Sequence, residues 1–272
     1  MKKIVNKIMN FAGLVSKNRT GAYAAQSAYF FMLSLIPIIL LLLAIVQYTP
    51  VTKADVMTAA VLVFPEESMQ SFIVGIVNQV YNQSQTVIPI TALVALWSAG
   101  KGVLAMNTGL NCVYEIRETR NYFILRIRAS IYTFVFIVAI VVALVLSVFG
   151  NSISIFVSSK FPIFEETMAY ILQMRTVISF FMMLGFSLLI YRFLPNRKDK
   201  IKYQLPGAVF TSIGWLLISF IFSMYLTIFK GFSGLYGSMT AIILVMLWLY
   251  FCMYVMLLGG IINRVWQEKN DL

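Results

Sequence analysis

The 272-residue sequence predicts an all-α integral membrane protein with six transmembrane helices, cytoplasmic N- and C-termini, and amphipathic helices in the external loops. Three observations lead there. First, six apolar windows (27–47, 87–106, 129–150, 176–194, 205–229 and 239–263) run from 19 to 25 residues, and a helix needs about 20 to cross the hydrocarbon core. Second, the chain is 60% hydrophobic and 11% charged, against about 25% charged in a soluble domain. Third, the basic residues are sorted. With the N-terminus cytoplasmic, 17 of the 21 Lys and Arg fall inside, leaving Lys53, Lys160, Arg175 and Lys230 outside. The ten acids divide evenly, as expected for a rule that counts Lys and Arg rather than net charge. The net charge of +11 therefore points to a membrane surface, not to nucleic acid. The whole chain, 1–272, reads as a single polytopic membrane domain.

Residues 1–26 carry Lys2, Lys3, Lys7, Lys17 and Arg19 and form the first cytoplasmic segment. The first window is no signal peptide, because its apolar run of about 21 residues exceeds an h-region and no small-residue cleavage site follows. Within it Pro37, after Ser34, removes a backbone donor and predicts a kink. That kink is either a transporter hinge or a static packing feature.

The first external connection, 48–86, contains a predicted amphipathic helix over 65–81. Pro65 suits a first helical position, and Glu66 and Glu67 suit the positive end of the dipole. Met69, Phe72, Ile73, Ile76 and Val80 then recur at helical spacing, opposite Gln70, Ser71, Asn78 and Gln79. Such a helix lies on the outer interface or caps the bundle.

The second window departs from the apolar rule. At about 100° per residue, Ser98, Lys101, Thr108, Asn111 and Glu115 fall within one arc, while Ala99, Val103, Met106, Leu110 and Val113 cover the other side. Polar groups in a membrane usually face protein or water. On one reading the stripe lines a substrate path, with Lys101 as the cationic site for an anionic group. On the other, Lys101 lies only about 9 Å from the inner boundary at about 1.5 Å per residue and snorkels there. Asn107 and Asn111 are then interhelical hydrogen-bond partners. Past the boundary, Glu115 and Glu118 stand beside Arg117 and Arg120, a pattern of ion pairs rather than of catalytic acids.

The third window, 129–150, is nearly featureless. The connection after it repeats the external-helix idea over Phe161, Pro162, Glu165, Glu166, Thr167, Met168, Ile171 and Leu172. The fourth window is followed by a basic loop with Arg197, Lys198, Lys200 and Lys202. Pro206 and Gly207 mark the start of the fifth helix, whose Thr211, Ser212, Ser219 and Ser223 are expected mostly to bond back to their own backbone. Gly231, Gly234 and Gly237 around Tyr236 make a tight hairpin or a mobile outer gate. The sixth window ends at a tail with Arg264 and Lys269. Cys252 sits mid-span and Cys112 near the inner end of the second span, so no disulfide is expected.

Absences narrow the function. There is no histidine, no acid inside any window, and no phosphate-cradling glycine loop ending in Lys-Ser/Thr. Imidazole-dependent chemistry, metal centres and an intrinsic ATPase drop out, and no catalytic residue or cofactor is expected.

Four ordered stretches carry a family resemblance. The first is Ala24-Ala25-Gln26-Ser27-Ala28-Tyr29 leading into Leu33-Ser34-Leu35-Ile36-Pro37. The second is Leu96-Trp97-Ser98-Ala99 with Gly102, Leu110-Asn111, and Tyr114 through Glu118-Thr119-Arg120. The third is Tyr191 to Pro195, followed by Pro206-Gly207-Ala208. The fourth is Tyr236-Gly237-Ser238 through Trp248-Leu249-Tyr250 to Leu258-Gly259-Gly260 and Asn263. Together they resemble the YihY/BrkB family of bacterial inner-membrane proteins across most of the chain. The resemblance implies six helices, cytoplasmic termini and a plasma-membrane location. It also carries an old ribonuclease label and implies lipid or amphiphile transport. One position departs: where the family commonly has a glutamate in the last helix, this chain has Ile261. A mechanism resting on that carboxylate does not transfer.

The expected function is that of a transporter or flippase-like protein for an anionic lipid or other amphiphile, without its own ATPase. Its expected partners are membrane lipids, with anionic headgroups gathered at the basic cytoplasmic loops and no nucleic acid. The alternative is a non-transporting scaffold or envelope-integrity factor. A nuclease comes last, because the loop acids form no converging pattern.

Overall fold

The computed structural model describes residues 2–46, 53, 54, 57, 58, 74, 75, 77, 78, 87–135, 175–197, 199–228 and 238–270. Among the described residues all regular structure is α-helical. The helices are α1 (Lys2–Lys17), α2 (Thr20–Val46), α3 (Val87–Val113), α4 (from 122 to 135, where the described stretch ends), α5 (Arg175–Phe193), α6 (Ile201–Ile228) and α7 (Ser238–Asn270). Five of the six apolar windows coincide with α2, α3, α5, α6 and α7. Among the described residues, α6 over Ile201–Tyr225 and α7 over Ile242–Asn270 are long and apolar enough to cross a membrane. The expected external helix at 65–81 is described only at residues 74, 75, 77 and 78, which are helical. The second one, at 161–172, and the glycines Gly231, Gly234 and Gly237 lie outside the described residues.

Two compact units divide the chain. One comprises Met1–Leu33, Gly100–Ala129 and Phe180–Leu272; the other comprises Ser34–Ala99 and Ser130–Ser179. The first holds the basic end of α2, α3 and α5 together with all of α1, α6 and α7. Its centre is a seam of small residues, the usual way for apolar helices to approach where no hydrophobic drive separates them from lipid. Phe31 of α2 packs on Gly102, and Tyr23 and Leu257 pack on Gly109, seating α3 between α2 and α7. Val255 of α7 packs on Gly214 of α6. At Gly207 and Gly259 the backbones of α6 and α7 touch, because a Cβ on Gly207 would fall on the Gly259 carbonyl oxygen.

Helix α2 starts and α7 ends seven residues beyond the predicted windows, and three further differences bear on the site. Residues 2–17, read as a basic segment, form helix α1. It ends at Lys17, and Arg19 beyond it adopts a left-handed φ of 48° and caps α2 by accepting from the N–H groups of Ala22 and Tyr23. Helix α6 begins at Ile201, so Pro206 lies in its second turn rather than at its start. There the missing N–H leaves the Lys202 carbonyl without its usual donor. The next N–H, of Gly207, is taken up by Asn263 Oδ1 of α7 at 2.7 Å.

The third difference concerns α3. It continues to Val113 and closes in a two-bond C-terminal cap, with Ile116 N–H donating to Asn111 O and Glu115 N–H donating to Cys112 O. Glu115 occupies the left-handed position of that cap, with φ 54°. Helical periodicity therefore does not govern its direction, and Glu115 leaves the arc in which the sequence placed it.

Candidate functional site

Three groups of polar residues meet at the basic end of the first unit. The first surrounds Glu118, in the segment after the α3 cap. Glu118 Oε2 accepts from Asn111 Nδ2 at 2.7 Å and from Asn107 Nδ2 at 3.1 Å. Arg120 clamps both carboxylate oxygens, with Nε to Oε1 at 2.8 Å and an Nη to Oε2 at 2.7 Å, and adds its backbone N–H. The same guanidinium reaches Leu194 O at 2.9 Å, while Asn111 Oδ1 accepts from the Asn196 N–H at 3.0 Å. Burial works against the carboxylate charge, but these donors prevail and hold Glu118 down at about 2. The two asparagines thus tie a loop and the end of α5 to α3 rather than bridging two membrane helices.

The second group follows from the α3 cap. Glu115 receives Lys17 Nζ at 2.8 Å and stands 3.0 Å from Arg264, which also donates to Glu268 at 2.8 Å and to Val113 O at 3.0 Å. Hydrogen bonds from Lys17 and Arg264 hold its carboxyl at about 2, against an ordinary 4.5. A depressed folded value means that the stabilisation is complete above about pH 4.5 and is lost as the pH falls towards 2. The expected result is that the α1 tether loosens across that window. The protection factors of residues 14–20, taken against the intrinsic exchange rate at each pH, should fall between pH 5 and pH 3 in the wild type and change less in Glu115→Gln. Equal pH dependence in both proteins would refute the tether.

The third group is buried between α3, α6 and α7. Tyr114 donates to Gln204 Oε1 at 3.2 Å, and the Arg197 guanidinium stacks on the Tyr114 ring at 3.3 Å from its centroid. Arg197 Nε stands 2.6 Å from Asp199 Oδ2, a charge pair off the hydrogen-bonding direction. Burial of Tyr114 dominates over the nearby Arg197 charge and pushes its phenol up to about 12. Deeper along the seam, Tyr191 OH donates to Met256 O and pairs with Thr211 Oγ1. Thr211 therefore faces α5, and Ser219 receives the Trp248 indole N–H. Ser212, bonded to Ala208 O, follows the expected back-bonding pattern, and Ser223 also has a partner.

The predicted path residues divide. Val103, Met106, Leu110 and Val113 are buried, as is Asn111, whereas Lys101 and Thr108 are exposed. Thr108 bonds back to Leu104 O. Among the described residues Lys101 has no hydrogen bond or ion pair. Ser98, one turn earlier, is half-buried and belongs to the other unit. Pro37 lies within the continuous helix α2. Ile261 is wholly buried, an apolar side chain in an apolar core. Cys112 and Cys252 are both free, and Glu115 and Glu118 are both paired, as the sequence implied.

Sequence reasoning missed Arg197, Gln204 and Asn263, since polar residues at the mouth of a span resemble ordinary loop residues. Among the described residues no three of His, Cys, Asp and Glu gather as metal ligands.

Comparison with known proteins adds the following. The family model described as Virulence factor BrkB matches residues 13–272. A ribonuclease-like protein, YfkH, of Bacillus subtilis (strain 168) is 32% identical over 250 residues, covering 92% of this chain and 90% of that protein. A UPF0761 membrane protein of Vibrio parahaemolyticus is 23% identical over 280 residues, covering 95% of this chain and 83% of the relative. One of Aliivibrio salmonicida is 23% identical over 266 residues, covering 93% and 81%. No solved structure matches the chain.

Proposed function

We propose that this chain, which belongs to the virulence factor BrkB family of membrane proteins, is a transporter or flippase-like protein for an anionic lipid or other amphiphile and has no ATPase of its own. The observation that carries the reading is Lys101. It is exposed on an apolar helix whose opposite face is buried, and among the described residues no acid neutralises it. A lone ammonium on such a helix is costly unless it meets water or an anionic group. In this reading an anionic headgroup binds at Lys101, and Ser98 and Thr108 continue the polar track along α3.

Orientation follows from the charge sorting, with the basic end and both termini cytoplasmic in a bacterial inner membrane. Pro37 and the outer Gly231, Gly234 and Gly237 are the positions at which a hinge or gate would act. The reading contains no catalytic step, since Glu115 and Glu118, the two acids nearest a nuclease pattern, are held by Lys17, Arg264 and Arg120.

Reconstitution into liposomes with fluorescent anionic lipids tests it. Transfer between leaflets should exceed that of empty vesicles, and Lys101→Met should lower it by about tenfold, the effect of about 1.4 kcal/mol lost at one charged contact. Transfer equal to that of empty vesicles with every anionic lipid would remove the transport reading and leave the scaffold. Transfer unaffected by Lys101→Met would remove the cationic site.

A further inference from the structure

Helix α1 has no part in the proposed path. At about 100° per residue, Ile4, Ile8, Phe11 and Val15 share one face with Leu14 and Lys7 at its edge, while Lys2, Asn6, Asn10 and Lys17 share the other. Where side chains are described, Phe11, Leu14 and Val15 are half-buried, and Met9, Ala12, Ser16 and Lys17 are exposed. The apolar face is thus turned towards the protein yet only partly covered by it. Opposite stands the end of α7. Between them runs an open groove of about 190 Å³ lined by Phe11, Ile262, Val265, Trp266 and Lys269.

The lining selects its occupant. Four of the five residues offer hydrocarbon or aromatic surface, and the polar groups among their side chains are the Trp266 indole N–H and the Lys269 ammonium. Val265 and Trp266 are 41% and 47% exposed, so the groove opens outward rather than into the core. Among the described residues Lys269 has no ion pair, whereas its neighbour Glu268 is engaged by Arg264. A peptide segment would bring backbone N–H and C=O groups that this lining leaves unsatisfied. A hydrocarbon tail needs no such partners, and an anionic headgroup suits the ammonium.

We propose that the groove between α1 and α7 binds an anionic phospholipid, with an acyl chain against Phe11, Ile262, Val265 and Trp266 and the headgroup phosphate at Lys269. The site is separate from Lys101, so it stands whether or not the protein moves lipid. In it α1 serves as an interfacial helix whose remaining apolar surface is covered by lipid.

Brominated lipids read the site directly, because bromine quenches indole fluorescence at contact. The full-length protein, and Trp266→Phe to subtract the other tryptophans, are reconstituted into phosphatidylcholine vesicles. Acyl-brominated phosphatidylglycerol or phosphatidylcholine is then titrated in. The Trp266 component should be half-quenched at about fivefold less brominated phosphatidylglycerol than brominated phosphatidylcholine, the preference that one surface ammonium confers. Lys269→Gln, in the exposed last turn of α7, should abolish that preference while leaving quenching by phosphatidylcholine in place. Equal quenching by the two lipids in the wild type would overturn the proposal. So would a preference that survives Lys269→Gln, or a Trp266 component that neither lipid quenches.

Discussion

Gly207→Leu is expected to prevent the chain from being recovered as a monodisperse species. The Cβ of any residue at 207 would meet the Gly259 carbonyl oxygen, which is backbone and cannot rotate away, and then the Asn263 side chain. Overpacking a close contact costs about 1–3 kcal/mol. Displacing Asn263 also deprives the Gly207 N–H of its acceptor, adding about 1–3 kcal/mol for a buried unpaired group. Together these approach the whole stability of a typical domain, about 5–15 kcal/mol.

Gly185→Ala supplies the contrast. Nothing lies within 4 Å of a Cβ placed there, so this change should be neutral or raise stability by up to about 1 kcal/mol through helix propensity. Size-exclusion profiles after graded heating in detergent measure both. A Gly207→Leu protein that melts with the wild type would show that α6 and α7 do not cross at this glycine.

The second large effect is expected at Glu118. Glu118→Ala leaves the Asn107 and Asn111 amides, which are 3% and 4% exposed, without their shared acceptor and strips Arg120 of its carboxylate. Breaking a well-buried ion pair costs about 3–5 kcal/mol. Since a quarter of the Glu118 side chain is exposed, the expected loss is at the lower end, about 3 kcal/mol. Glu118→Gln keeps one carbonyl acceptor for the asparagines and should lose about half as much. Trypsin reports the local consequence. Cleavage after Arg120 should accelerate strongly in Glu118→Ala and modestly in Glu118→Gln. Equal cleavage in the two variants would mean that the carboxylate is not the hub of the junction.

Much of the architecture could be read before any coordinates. The apolar windows foresaw helices α2, α3, α5, α6 and α7, because hydropathy summed over about 20 positions averages out local irregularity, although α2, α3 and α7 each run seven residues beyond their window at one end. The pairing of Glu118 with Arg120 was also legible, since the two are neighbours in the sequence, whereas Glu115 is paired as expected but with the distant Lys17 and Arg264. Boundaries were less so. The α3 cap at Glu115 rests on a non-glycine residue in the left-handed region, which composition does not announce. Helix α1 was hidden by its lysines, which read as a charged tail until the apolar residues between them are placed on one face. Arg197 and Gln204 lay in a stretch that looked like an ordinary basic loop.

The chain by itself determined that its long helices are apolar and which of their ends carry the positive charge. Both are sums along the sequence, so no distant neighbour alters them. Tertiary structure alone decided which polar residues are free. Lys101 and Asn111 share the same helix and looked equivalent on one stripe. Asn111 is consumed by Glu118 and by Asn196, 85 residues away, whereas Lys101 is left exposed. The physical reason is that a hydrogen bond saturates: once its partners are met, a polar group has little capacity left for a ligand, and only the fold says where those partners are.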